Sequence, residues 1–250
     1  ADDPAVYIYG RCRVGSSIKA IFVSGARDEY KHLICVHAAH ECDAFEEIYI
    51  NGTALGTLDA NGFPTTGKYA TSVRVKKHLG TSAEAADATL MSECPDKWFS
   101  TSVLRDHCFT YVRLDLNEAE FQGGLPSIEA LLRGMKIFDV RTSTTAWSQN
   151  NALVIYNYLT SEICNVAATD LPTAQFITAA NVCDEAETFG AKYTFNGTVT
   201  ADQDQAKILE MMAQSMAGSL VATTWDISAW KYVAPVLALS QTDIVGNIAI

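Results

Sequence analysis

The sequence lacks most of the features that would assign it a chemistry at once. No stretch of 18 uninterrupted apolar residues occurs, so no membrane-spanning helix is expected. The opening Ala1-Asp2-Asp3-Pro4 is acidic and polar, without the basic start and apolar stretch of a signal peptide. With no initiator Met, the chain is expected to be an excised or processed segment without a leader. Gly-x-Ser-x-Gly, Gly-x-x-x-x-Gly-Lys-Ser/Thr and Gly-x-Gly-x-x-Gly are all missing, which removes the common esterase, P-loop and dinucleotide readings. There is no Cys-x-x-Cys pair, no internal repeat and no low-complexity segment. Basic residues are in deficit: the net charge is −11, and such a surface repels phosphate backbones. No nucleic-acid partner is expected.

What is present is a folded composition. Apolar residues make up 48% and charged residues 19% of 250 positions, enough for one large domain or two modest ones. The seven cysteines are odd in number and scattered, which reads as reduced core thiols of a chain made in a cytoplasm. Asn51-Gly-Thr and Asn196-Gly-Thr match a glycosylation pattern but read better as Asn-Gly turns.

The first part reads as strands: Val6 to Tyr9, Ile18 to Ser24, Lys31 to Ala38, Glu47 to Ile50, Tyr69 to Lys77, Phe109 to Leu114 and Lys136 to Val140. Lys31 to Ala38 is apolar on both faces, as a doubly covered strand would be. Asp59 to Gly67 is a Gly- and Thr-rich loop, and Gln122 to Pro126 a break. A helix is expected over 82–93, with Thr81 and Glu84 at capping-box spacing and Pro95 as its stop. After a seam near Arg141 to Trp147 the texture turns helical. One helix follows Ser148, with Ala152, Ile155, Tyr156 and Leu159 on its inner stripe. A second opens at Asp170 and Pro172 and buries Phe176, Ala179, Ala180 and Cys183. A third follows a Thr200/Gln203 capping box and turns Ile208, Leu209, Met212 and Met216 inward. Ser219 to Thr224 and Lys231 to Val233 read as strands about a turn at Trp225-Asp226, with Pro235 at a strand end. The expected fold is α+β and β-rich. Residues 1–145 form a β-dominated domain, and residues 146–250 a domain of three helices on short antiparallel strands.

Candidate chemistry is thin. His37-Ala-Ala-His40-Glu41-Cys42 could hold a metal on a helix, but a strand sends His37 and His40 to opposite faces. His107-Cys108 are neighbours that a strand does not bring face to face, and no helix N-terminus stands by to activate the thiol. Asp184-Glu185 and Glu46-Glu47 are adjacent carboxylates, whereas hydrolysis needs two converging from separate elements. Met211, Met212 and Met216 at helical spacing read as core filling. Trp98, Trp147, Trp225 and Trp230 are too scattered for a sugar groove and read as core or interface aromatics. No catalytic, cofactor or metal site is expected.

Several stretches, in order along almost the whole chain, resemble the tail-tip host-specificity (tip attachment) proteins of lambda-like siphophages. They are Tyr9-Gly-Arg-Cys-Arg-Val-Gly15, Tyr30 to Glu41, Leu79 to Glu84, Gly123 to Ile128, and Leu132-Arg-Gly-Met-Lys-Ile-Phe-Asp139 with Arg141-Thr142. Trp147-Ser-Gln-Asn-Asn-Ala-Leu153, Tyr158 to Thr160, Ala179 to Glu185, Tyr193 to Gly197, Met212 to Leu220 and Ala234 to Leu239 complete the series. Val140 and Asn151 stand where the family has Pro. The resemblance implies the hub region of a phage tail protein: a non-catalytic homotrimer of the virion tail, with β-barrel-like modules and inserted α/β segments. It would join other tail-tip and tail-tube proteins and link the tube to the receptor-binding region. Trp225, Trp230 and Tyr232 are the candidate interface residues. A tail-borne cell-wall hydrolase or a carbohydrate-binding adhesin are the competing readings.

Overall fold

The computed structural model describes residues 4–121 and 123–232. Ala1 to Asp3, Gln122, the end of the expected strand at Val233, Pro235 and the Ala234 to Leu239 stretch lie outside the described residues. In chain order the strands of the first half are β1 (Val6–Tyr9), β2 (Arg11–Gly15), β3 (Ser17–Ser24), β4 (Tyr30–Ala38), β5 (Ala44–Ile50), β6 (Thr53–Ala54), β7 (Val73–His78), β8 (Cys108–Asp115), β9 (Ile128–Arg133), β10 (Lys136–Asp139) and β11 (Thr144–Trp147). Helix α1 (Ala88–Glu93) lies between β7 and β8. The second half contains α2 (Asn151–Thr160), α3 (Thr173–Cys183), β12 (Ala186–Glu187), β13 (Gly190–Ala191), β14 (Gly197–Thr200), α4 (Gln205–Gln214), β15 (Ser219–Val221) and β16 (Asp226–Ser228). The fold is α+β and β-rich, and every strand pair described is antiparallel.

Two four-stranded sheets, ordered β2-β9-β5-β6 and β3-β4-β8-β7, share one apolar core. Leu33, Cys35, Val73, Val75, Val112 and Leu114 enter it from one sheet, and Val14, Ile48, Ile50, Ala130 and Leu132 from the other. The alternate residues of β4 and β8, Ile34, Phe109 and Tyr111, face the opposite way. There they pack on Leu90, Cys94 and Trp98 from α1 and the segment after it. Strand β4 is therefore covered on both faces, as its unbroken apolar run requires. Asn51 and Gly52, both with positive φ (48° and 75°), make the tight β5–β6 turn that Asn-Gly favours.

The helix expected from residue 82 begins six positions later. Thr81 and Glu84 do not form its cap. Glu84 accepts from the Gly80 amide and from His78 instead, and Asp87 caps α1 by accepting from the Leu90 amide at 2.7 Å. A carboxylate with a nearby imidazole partner is drawn away from the amides it would otherwise cap. The C-terminal stop before Pro95 holds.

A third core gathers α2, α3 and α4 with Tyr9, Ile137, Phe195, Val199 and Ile227. The stripe Phe176, Ala179, Ala180 and Cys183 is buried as expected, as are Ile208, Met212 and Met216. Helix α2 is buried nearly all round, wider than its expected stripe. Its cap is Asn150, with Ser148 Oγ accepting from the Asn150 amide one step earlier. Asp204 caps α4, while Gln203 returns to the Thr200 amide ahead of the helix. Strand β1 pairs with β14, from Val6↔Thr200 to Tyr9↔Gly197, and so joins the first residues to the helical half. Arg141 to Trp147 is the turn and second strand of the β10–β11 hairpin.

Two further expectations fail. Asn196-Gly197 is not a hairpin turn, because neither residue takes a positive φ. Asn196 Oδ1 accepts from the Arg11 amide and from Gln149 Nε2 instead. The strand partner of β15 is Asp226–Ser228, not Lys231 onward. Trp225, at φ 55°, ends the hairpin turn where a turn was expected, while Asp226, expected in the turn, begins β16.

Candidate functional site

The candidate reactive groups are largely engaged by hydrogen bonds of their own. His37 is buried, with Nδ1 donating to Gly15 O at 3.1 Å and Nε2 accepting from Thr110 Oγ1 at 3.1 Å. Burial pushes its pKa down to about 4, so the ring is neutral. His40 Nε2 accepts from the Ile8 amide at 2.9 Å, and Nδ1 donates to Glu41 O at 2.7 Å. Both rings are spent on backbone and hydroxyl partners, and Cys42 sits in the inter-sheet core. Among the described residues no group of three or more His, Cys, Asp or Glu is placed to hold a metal ion. His107 is exposed and turns back to Arg105 O, whereas Cys108 is fully buried. Asp184 pairs with Arg141 at 2.8 Å, and Glu185 with Lys192 and Lys231. Glu46 pairs with Arg11, and Glu47 accepts from the Ile48 and Gly56 amides. Glu46 and Glu47 line a cleft together with Asp59, Lys76 and Lys77.

Two ion networks were missed in the sequence. Arg74 and Arg113 are direct cross-strand partners on β7 and β8, an arrangement that like charges disfavour. Glu93, the last residue of α1, bridges them. It accepts from both terminal nitrogens of Arg74, from Arg113 Nη1 at 3.2 Å and from Tyr111 OH at 2.8 Å. Tyr111 OH in turn accepts from Arg74 and from His32 Nδ1 at 2.7 Å, leaving His32 Nε2 to accept from Ser24. In the second network His78 lies between Glu84 Oε1 and Asp87 Oδ2, both at 2.9 Å, and stacks on Phe109 at 4.3 Å. Two carboxylates can only accept, so the ring is an imidazolium. Burial lowers its pKa, but the bonds to Asp87 and Glu84 outweigh that and raise it. Both networks tie α1 and its leading loop to the sheet. Arg74 and Glu93 are far apart in sequence, so no local pattern announces their meeting.

The resembling stretches meet in space as structural staples. Gly134 donates to Gly10 O, and a Cβ there would lie 2.2 Å from Ile8 O. Only glycine fits so close to a backbone. Asp139 accepts from the backbone and guanidinium of Arg141, whose other arm reaches Asn181 and Asp184 on α3. Trp147 Nε1 donates to Gly10 O. Asn150 Nδ2 reaches Ala180 O, and Asn151 Nδ2 reaches Met212 O and Ser215 Oγ. Asn151 occupies the first turn of α2, where the Pro of the resembling family is also tolerated.

Of the interface candidates, Trp230 and Tyr232 are 55% and 70% exposed, while Trp225 packs partly buried on the helical core. Phe189, at the tip of the β12–β13 hairpin, is fully exposed and was not anticipated. The same hairpin is tied to the Trp230 segment by Lys231–Glu185 and by Tyr193 OH to Trp230 O, and Lys192 lies over the Trp230 ring. Phe189, Trp230 and Tyr232 thus stand on neighbouring segments. A lone Phe between Thr188 and Gly190 was the one available signal.

A cleft of about 740 Å³ lies between the β2–β3 turn, residues 4–6 and β14, lined by Arg13, Lys19, Val36, His107, Thr198 and Thr200 among others. His37 lines it as well, so His37 and His107 share this cleft, with no carboxylate among its described lining residues.

The fold is similar to that of a chain in the virion of a native gene transfer agent particle. The TM-score is 0.60 at 12% sequence identity, over 98% of this chain and 57% of that one. At this identity the likeness is one of fold. This chain thus spans little more than half the length of its neighbour. No protein-family model matches the sequence, and no curated protein matches it.

Proposed function

We propose that this chain is a structural, non-catalytic component of a phage-like virion, the hub region of a tail tip. The observation that carries the reading is the fold likeness to a virion chain over almost all of its length. The ordered resemblance to lambda-like tip attachment proteins supports it independently. The hub works as a homotrimer whose copies close a ring, bury apolar area between them, and join the tail tube to the receptor-binding region. The exposed aromatics Phe189, Trp230 and Tyr232 serve as contacts with neighbouring subunits. The net charge of −11 suits a conduit through which DNA passes without adhering during delivery. Histidines and cysteines in this reading are packing and hydrogen-bonding residues.

Antibodies raised against the chain, used in immunogold microscopy of particles from the producing strain, test the assignment. Label at the distal end of the tail is expected. Label on the capsid, or particles free of label, would overturn it. Zymography on peptidoglycan separates the hydrolase alternative: a clearing band lost on Cys108→Ala would replace the structural reading.

A further inference from the structure

We propose that Asn51-Gly52, at the tip of the β5–β6 hairpin, is a self-modification site, where the Asn51 side chain loses ammonia by closing on the Gly52 backbone nitrogen. Both residues are exposed, and their φ values of 48° and 75° belong to a two-residue turn. Asparagine is a thermolabile side chain, and a following glycine leaves the attacking nitrogen uncrowded. The chain has Asn-Gly pairs at Asn51, Asn61 and Asn196. Their surroundings differ.

Around Asn51 both reacting atoms are assisted. Asn51 Oδ1 accepts from the Ser127 amide at 3.0 Å, and the Asn51 amide donates to Ser127 O at 3.0 Å. Oδ1 is the oxygen that gains charge as Cγ becomes tetrahedral, so the Ser127 N–H is placed as an oxyanion donor. The attacking nitrogen reacts as an anion. Arg13, held by Glu129 at 2.7 Å and lying over the Tyr49 ring at 3.7 Å, brings Nη2 to 4.0 Å from where a Gly52 Cβ would sit. Its charge favours the deprotonated amide. Among the described residues no backbone acceptor takes the Gly52 amide.

The other two pairs are held. The Gly62 amide donates to Asp59 O at 3.0 Å. Asp59 Oδ1 accepts from the Asn61 amide at 2.9 Å, which sets a carboxylate near the nitrogen that would have to ionise. Gly62 is also closed in, since a Cβ there would meet Val75 O at 2.3 Å. Asn196 Oδ1 accepts from the Arg11 amide and from Gln149 Nε2, and a Cβ on Gly10 would lie 3.1 Å from Asn196 Cγ. That side chain is wedged, and Gly197 is part of β14 opposite Tyr9.

The chemistry balances with water alone. The Gly52 nitrogen gives up its proton and bonds to Asn51 Cγ, the Cγ–Nδ2 bond breaks, and Nδ2 leaves with that proton as ammonia. Water then opens the cyclic imide. If the Gly52 nitrogen leaves Cγ, the product is aspartate. If it leaves the backbone carbonyl carbon, the product is isoaspartate, and the main chain runs through the side chain. The extra backbone bond falls inside a two-residue turn, so the pairings Ile50↔Thr53 and Tyr49↔Ala54 lose their register and the buried Leu55 behind them loosens. None of this depends on the particle to which the chain belongs.

The folded chain, aged in mildly alkaline buffer at body temperature and mapped by peptide mass, supplies the test. The peptide carrying Asn51 should gain a single mass unit ahead of those carrying Asn61 and Asn196, and should then accept methyl groups from an isoaspartyl methyltransferase. Arg13→Gln should slow that gain in the folded chain and leave the rate in the isolated peptide unchanged. Asn51→Asp, which carries the charge without the extra backbone bond, should keep the melting temperature that the aged chain loses. If Arg13→Gln fails to fold, the order of conversion in the unmodified chain decides alone. Earlier conversion at Asn61 or Asn196, slower conversion of Asn51 in the fold than in its isolated peptide, or an unchanged rate in folded Arg13→Gln would overturn the proposal.

Discussion

Replacing Glu93 by Ala should be among the most damaging single changes in the first half of the chain. Its carboxylate accepts from both terminal nitrogens of Arg74, from Arg113 and from Tyr111. The Arg74 side chain is 8% exposed and that of Arg113 17%, so neither cation can turn to water without leaving the sheet. Removing the anion leaves two guanidinium groups as cross-strand neighbours. Breaking a buried ion pair costs about 3–5 kcal/mol. The Glu93 side chain is 25% exposed, which places the expectation at the lower end, about 3 kcal/mol. For a domain of this size that is a fall in melting temperature of roughly 6–12 °C. The last residue of α1 also loses its anchor, so Trp98 fluorescence should change with it. Chemical denaturation followed by circular dichroism measures the loss. Glu93→Gln, which keeps one acceptor, should cost less, and Arg74→Met in the Glu93→Met background should recover part of the deficit. A loss under about 1 kcal/mol for Glu93→Ala would refute the view that this carboxylate offsets the paired arginines.

Acid should destabilise the fold well before its carboxylates titrate. His37 is held neutral down to about pH 4, while in the unfolded chain it takes a proton near 6.5. Between those values the unfolded state binds more protons, so stability falls as pH drops, by roughly 3 kcal/mol in all. His37→Gln should flatten that slope in melting curves taken across this range. His78 acts with the opposite sign: its raised pKa gives stability that is complete below 6.5 and fades as pH rises through the folded value. His78→Gln should remove that loss on the alkaline side. Gly134→Ala must displace Ile8 O and should cost about 1–3 kcal/mol as overpacking, read from melting temperature. Asn150→Ala removes the α2 cap and the bond to Ala180 O, about 2 kcal/mol or more by denaturant titration. Trp230→Ala with Tyr232→Ala should leave the melting temperature nearly unchanged but prevent incorporation into particles, scored by immunoblot. Trp225→Ala should lower stability instead.

Legibility in the sequence followed the range of the interactions. Strands β1, β3, β4, β8 and β10 and helices α2, α3 and α4 carry their pattern locally, and each forms near where periodicity places it. Strand β2 was hidden because Arg11 and Arg13 are exposed edge residues holding Glu46 and Glu129. Strand β9 was hidden behind helix-forming Glu-Ala-Leu-Leu, a preference that its central place between β2 and β5 overrides. The early helix start and the Asn196 turn failed for one reason. Glu84 and Asn196 found partners outside their motifs, the nearby His78 and the distant Arg11 amide, in place of the bonds those motifs describe. The charged networks around Glu93 and His78 were not legible, because their members come from separate elements.

The stretches that resemble tip attachment proteins gain a physical meaning from where they meet. Gly134 against Ile8 and Gly10, Arg141 between Asp139 and Asp184, Trp147 on Gly10, and Asn150 on Ala180 are contacts that join separate elements into one frame. A position of this kind answers to backbone geometry, so a sequence can change around it while the frame stays. Surface residues and most core residues carry no such constraint, since many apolar side chains fill the same volume. A chain can then share a fold over 98% of its length with a neighbour at 12% identity, as this one does. The short ordered stretches coincide with places where one element touches the next. On the proposed structural reading, function lies on the surfaces this frame presents, which is why the exposed Trp230 and Tyr232 are the residues on which the assembly experiment turns.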